Sequence, residues 1–167
     1  MGLFNLGVSA IEISAIATDG DVGTTFAPLG KTQEGTTKLN FADATITELK
    51  VEESSVAADS YAEPGEKTVE FTVADPDLDT LVTVFGGTKT GTGASAKFSA
   101  PSGSVTIEKS LRITPNKGMI WTFPRVSITA KFTTDVGKTT WVGVVVTAKV
   151  LEPTKAGVSA WNVTLKA

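Results

Sequence analysis

Residues 68–87, TVEFTVADPDLDTLVTVFGG, constrain the fold of this chain more than any other stretch. Val69, Phe71 and Val73 alternate with Thr68, Glu70 and Thr72, the period of two that marks a half-buried strand. Asp75 then reads as an N-cap, with Pro76 at the first helical position, where a missing N–H is no loss. Asp77 and Asp79 fall in the first turn, where negative charge meets the positive end of the helix dipole. Leu78, Leu81, Val82 and Phe85 recur at i, i+3, i+4 and i+7 as an apolar stripe. Gly86-Gly87 ends the helix, because glycine enters the left-handed region without steric cost. The expectation is one short helix over 75–85, sealed to a chain that otherwise reads as strands.

The strands are spread along the whole chain. Residues 8–18 place Ile11, Ile13, Ala15 and Ala17 on one face, and the turn at Asp19-Gly20-Asp21 follows. Residues 24–35 carry Pro28, Gly30 and Gly35 and suit an extended arm or long loop. Residues 36–41 and 45–51 read as two strands around a turn at Ala42-Asp43. A surface excursion spans 53–67, and residues 86–99, GGTKTGTGASAKFS, read as a flexible loop with almost no apolar anchor. Residues 104–114 and 119–123 form a plausible hairpin through Pro115-Asn116-Lys117-Gly118, and 126–132 alternate cleanly after Pro124. A turn at 135–138 leads into a strand over 139–150, and a last strand covers 158–166. The pattern predicts a single mainly β domain over 1–167: an antiparallel β-sandwich of about seven to nine strands with the helix at its flank.

Composition narrows the chemistry. The chain has neither cysteine nor histidine. Disulfides, thiolate zinc sites and a cysteine nucleophile are therefore excluded, and so are the commonest metal ligand and the usual base near neutral pH. An enzyme is not expected, and no cofactor or metal is. No apolar run approaches the length needed to span a bilayer. The first cationic side chain is Lys31, so the start of the chain does not read as a secretory signal. Met1-Gly2 invites a myristoylation reading, but Leu6 stands where that motif wants Ser or Thr. A soluble protein made in the cytoplasm is the expectation.

Several short motifs fail on inspection. Asp75, Asp77 and Asp79 open like a calcium loop, yet Thr80 and Gly86 stand where glycine and glutamate are required. Gly30-Lys31-Thr32 and Gly137-Lys138-Thr139 lack the upstream glycine of a phosphate loop, which is Thr25 or Phe132 here. Gly91-x-Gly93-x-x-Ala96 follows a helix instead of a strand, so it is loop composition. Asn162-Val163-Thr164 matches a glycosylation acceptor without the context to use it. Lys109, Arg112, Lys117, Arg125 and Lys131 interleave with Trp121 and Phe123 in a run free of acids. Such a run could bind single-stranded nucleic acid, but its alternation turns the aromatics toward a core or an interface.

Charge is distributed unevenly. Residues 1–79 hold four lysines and fifteen acids, net −11, and residues 80–167 hold eleven basic residues and three acids, net +8. Either the two halves interleave and their charges mix, or unlike surfaces of adjacent subunits meet.

Taken together, the Glu34-Gly35 loop, the strand 68–73 leading into Asp75-Pro76-Asp77, the helix ending at Gly86-Gly87 and the strand-rich C-terminal half resemble the tail tube (major tail) proteins of tailed bacteriophages. That resemblance implies a β-sandwich with one packed helix, assembled into rings, usually of six subunits, that stack into a conduit for DNA. It implies a structural protein of the virion tail, assembled in the host cytoplasm. Its partners would be further copies of itself, other tail proteins and DNA passing without specific binding, with no membrane and no catalytic residues. Residues 24–35 and 53–67 would be the segments bridging to neighbours. Glu48, Glu52 and Glu70 are candidate lumen-facing acids, where like charge would keep DNA from sticking; the plainer reading of all three is a solvated strand face. A rival reading is an immunoglobulin-like adhesion or carbohydrate-binding module, with Trp121, Trp141, Trp161 or Tyr61 as a stacking platform.

Overall fold

The computed structural model describes residues 4–134 and 136–166. Met1 and Gly2 of the myristoylation reading, and Asp135 at the head of the 135–138 turn, lie outside the described residues. Twelve strands and one α-helix follow in order: β1 (Ala10–Ser14), β2 (Ala27–Pro28), β3 (Lys38–Phe41), β4 (Thr45–Leu49), β5 (Asp59–Glu63), β6 (Lys67–Val73), α1 (Leu78–Phe85), β7 (Thr88–Thr90), β8 (Lys97–Ser99), β9 (Ile107–Thr114), β10 (Met119–Phe132), β11 (Val144–Val150) and β12 (Asn162–Leu165). Eight of them form the main antiparallel sheet, in the order β2-β1-β9-β10-β11-β6-β3, with β12 pairing β10 beside the end of β11. The fold is mainly β with one short helix, as the alternating pattern predicts.

The sheet is folded over so that its two wings share one core. Ile11 and Ile13 of β1, Leu111 and Ile113 of β9, and Phe123, Val126 and Ile128 of β10 are buried with Val69, Phe71 and Val73 of β6 and Val144, Val146 and Ala148 of β11. Residues 27–33 tie the far edges together. The Leu29 N–H donates to the Ile11 carbonyl, and two residues later the same segment bonds β6, with Gln33 N–H on the Thr72 carbonyl and Ala74 N–H on the Lys31 carbonyl. Within residues 24–35, expected as an arm or long loop, Leu29, Lys31 and Gln33 are thus tied to the body, and Leu29 is buried while most of the others are exposed.

Strand β10 is one element of fourteen residues where sequence suggests two. Its register against β9 shifts between Phe123 and Val126. The extra residue at this bulge lets Phe123 and Val126 both face the core although they are three apart. Pro124 fits there because a bulge position has no ladder hydrogen bond to donate.

The helix begins two residues later than its sequence signals suggest. Its N-cap is Asp77, not Asp75: the Asp77 carboxylate accepts the Thr80 N–H at 2.6 Å. Asp75 instead accepts the Lys31 N–H, which pins the crossing segment. The buried face is correspondingly rotated. Thr80 and Val84 are buried, with Leu81 and Phe85 packed against the core, while Leu78 and Val82 are only half-buried. Thr80 reaches inward because its hydroxyl donates to the Leu29 carbonyl at 3.1 Å, which satisfies it without water. Gly86 ends the helix at φ 74°, as expected.

Two small sheets stand apart from the main one. Within residues 86–99, expected as flexible loop, 88–99 form the hairpin β7–β8 against the helix, with Lys89 reaching Asp79 at 2.7 Å. Residues 45–49, expected to pair with 36–41, pair instead with β5, because β3 is taken up by β6.

Candidate assembly surfaces

The hairpin β4–β5 leaves the body where the Ala42 N–H bonds the Glu66 carbonyl. Gly65 lies so close to Ala42 that a Cβ there would meet the Ala42 carbonyl oxygen at 2.1 Å, so the base is tight. Beyond it nothing supports the hairpin: every residue from 43 to 66 is exposed except Ala57 and Gly65, which are half-buried. An isolated two-stranded hairpin is marginal in water, so one held out this way is an element in need of a partner. Ile46, Leu49, Val51, Val56 and Tyr61 are all exposed on it, Ile46 at 66% and Tyr61 at 61%. Such a concentration of exposed apolar side chains marks an interaction surface.

Strand alternation divides the hairpin into two faces. Thr45, Thr47 and Leu49 stand opposite Glu63, Tyr61 and Asp59 on one, while Ile46 and Glu48 stand opposite Ala62 and Ser60 on the other. Residues 43–66 contain seven acids and one lysine, net −6, so the rest of the chain is net +3. Of the candidate lumen acids, Glu48 sits on β4, 3.4 Å from Lys50, and Glu52 is exposed in the hairpin's connecting turn. Glu70 is elsewhere, half-buried on β6 between Lys38 and Thr147. The three do not form one cluster. Nine of the fifteen residues of the expected 53–67 excursion lie outside strands, and β5 and the first residue of β6 occupy the remainder. The alternation Asp59-Ser60-Tyr61-Ala62-Glu63 was the signal for β5, but it lacks the β-branched residues that make a strand conspicuous.

A second exposed apolar surface lies at the β10–β11 connection. Trp141 is 77% exposed, and Phe132, Val136 and Val142 are exposed with it. Lys131 and Lys138 flank them. Sequence alternation assigns Trp141 and Val142 to a strand over 139–150, but β11 starts only at Val144. Gly143 explains the break: a Cβ there would lie 2.8 Å from the Val73 carbonyl oxygen, so the chain passes close beneath β6 before pairing begins. On the other side Phe132 stacks on Phe85 of the helix, ring centroids 5.0 Å apart.

The charge asymmetry is mostly resolved within the chain. Arg112 pairs with Glu12 at 2.8 Å, Lys149 with Glu66 at 3.3 Å, and Lys155 with Asp19 and Asp21 at 2.8 and 2.7 Å. Hydrogen bonds from the Lys155 ammonium hold both aspartates below the usual carboxylate range. Arg125 grips Glu108 through two hydrogen bonds of 2.9 and 3.0 Å, which lowers that carboxyl too. The two halves therefore interleave over the body, and the segregated charge is that of the hairpin.

Asp75 bonds the Lys31 N–H, Asp77 caps the helix and Asp79 pairs with Lys89, three separate tasks. Among the described residues no group of three or more carboxylates could hold a metal ion. Of the five cations of the basic-aromatic run, Arg112 and Arg125 are committed to Glu12 and Glu108, and Arg112 also lies over the Phe26 ring. Trp121 and Trp161 stack on each other and meet the Phe41 ring edge-on. Trp141 and Tyr61 are exposed on separate segments of the chain, Trp141 in the β10–β11 connection and Tyr61 on β5. A cleft of about 630 Å³ opens between residues 32–39 and the β9–β10 turn, floored by Val8, Leu39, Ile113 and Trp121. Among the described residues no helix is long and apolar enough to cross a membrane. No family model and no curated protein matches this chain.

Proposed function

We propose that this protein is a structural subunit of a phage-type tail tube, which self-assembles into stacked rings around a conduit for DNA. The observation that carries the reading is the β4–β5 hairpin: acidic, studded with five exposed apolar side chains and covered by none of the described residues of its own chain. A module that worked as a monomer would gain nothing from holding that surface in water. The resemblance in sequence supports the same reading. Interfaces between unlike surfaces either close rings or propagate filaments, and a projecting element on a body of opposite net charge suits both.

In this reading the protein has no catalytic role, and its partners are further copies of itself and the proteins at the ends of the tail. Glu48, Glu52 and Glu70 remain the acids proposed to face the lumen, where they would repel passing phosphates. The reading is tested by negative-stain microscopy and sedimentation velocity of concentrated protein at low salt. Rings or short tubes are the expected result. A monodisperse monomer at every concentration would overturn it, and a hit in a glycan-binding screen would favour an adhesion module instead.

A further inference from the structure

The two exposed apolar surfaces lie at opposite ends of one strand. β6 starts at Lys67, beside the tight hairpin base, and ends at Val73, beneath Gly143 and the Trp141 loop. Its seven residues separate the two surfaces by about 20 Å of extended chain. β11 repeats the relationship, from Val144 at the loop to Lys149, which pairs with Glu66 at the hairpin base. Both strands lie in the buried core, so the spacing between the ends is rigid.

The surfaces also match in chemistry. One face of the hairpin presents Leu49 and Tyr61 with Asp59 and Glu63. At the far surface Trp141 and Val142 line one hollow with Lys138, and Lys131 is exposed at the end of β10 on the face opposite Phe132; the remaining charge of that loop, Asp135, lies outside the described residues. We infer that the Trp141 loop is the socket for the β4–β5 hairpin of a second copy, so that subunits join head to tail. Aromatic and aliphatic side chains fill the centre of the contact, and opposite charges at its rim set orientation. Because plug and socket sit on different ends, each copy that docks presents a fresh plug and a fresh socket, so the contact repeats from copy to copy and either closes a ring or runs on as a filament. The Glu48 face of the hairpin is left outside the contact.

This inference rests on the self-assembly reading, and the experiment separates the two. Full-length wild type, W141A, K131E/K138E, D59K/E63K and the combined four-residue charge swap are compared by sedimentation velocity and negative-stain microscopy over a concentration series. All the altered side chains lie at the surface, so unchanged circular dichroism and melting temperature are expected as folding controls. W141A and each charge reversal should raise the concentration needed for assembly by about tenfold or more, since central aromatic anchors dominate interface energies. The combined swap should recover most of that loss. Assembly of W141A and K131E/K138E at the wild-type concentration would overturn the socket while leaving the subunit reading intact. A wild type that never assembles would overturn both.

Discussion

The Ser110 hydroxyl donates to the Pro124 carbonyl at 2.7 Å across the bulge in β10, with both residues buried. The same oxygen accepts the Gly23 N–H at 2.9 Å, so one side chain satisfies the bulge and the loop after β1 together. Ser110→Ala would orphan a buried carbonyl and a buried amide, each worth about 1–3 kcal/mol. A loss of about 2–4 kcal/mol is expected in urea unfolding of the monomer. A change within the error of the measurement would mean that water replaces the hydroxyl.

The helix should be held by Val84 more than by Phe85. Val84 is almost fully buried, and Val84→Ala is expected to lower stability by about 2 kcal/mol. Phe85 is only half-buried and stacks on an exposed Phe132, so Phe85→Ala should fall below the roughly 3–5 kcal/mol of a fully buried phenylalanine such as Phe71. Thermal unfolding of Val84→Ala, Phe85→Ala and Phe71→Ala ranks them directly.

Acid should loosen the clamp that Lys155 places on the loop after β1. Asp19 and Asp21 have carboxyls depressed by the Lys155 ammonium below the ordinary value of 3.8. A depressed carboxyl stabilises the folded state above its unfolded pKa, and that contribution is lost as pH falls through the folded value. The loss therefore starts near pH 3.8 and continues below it. Lys155→Met should flatten the stability–pH curve in that window, read from melting temperatures between neutral and acid pH. Lys155 itself is raised by the same partners, so its contribution persists below the ordinary value of 10.5 and fades only in stronger alkali.

Removing the hairpin should leave the body standing. Joining Asp43 to Pro64 through two glycines keeps the tight base and deletes residues that bury almost nothing. The monomer should change in stability by less than about 1 kcal/mol, while assembly disappears. Unfolding of the shortened chain would show instead that the hairpin supports the core.

Salt offers a test without mutation. The screening length falls from about 10 Å at 0.1 M to about 3 Å at 1 M ionic strength. If charge orients the contact between copies, assemblies measured by light scattering should shrink or form more slowly at 1 M. Indifference to salt would leave the apolar anchors alone in charge of the contact.

Much of the body is legible in the sequence because a strand buried on one face must alternate. Ile11 and Ile13, Val69, Phe71 and Val73, and Val126 and Ile128 all face the core as their spacing demands. What escapes is decided by long-range pairing. No local signal says that residues 27–33 leave β1 for β6, or that 45–49 pair forward with 59–63. The helix start was misplaced because Asp75 and Asp77 are equally good caps by type; the crossing segment claims Asp75 through the Lys31 N–H. Of the candidate surfaces, the acidic excursion is visible as composition, whereas the Trp141 loop hides inside an apparently continuous strand until Gly143 breaks it.

The crossing of residues 27–33 between β1 and β6 bears on how such a chain avoids amyloid-like misassembly. Open sheets extend by adding strands at their rims, with any partner of suitable pattern. Here the rims of the main sheet are stitched together, and β3 and β12, at four residues each, offer little template for cross-β stacking. Backbone pairing at the rims of the main sheet is thereby removed as a route of growth. Polymerisation is left to side chains, which carry the orientation and the stopping points that hydrogen-bonded edges lack.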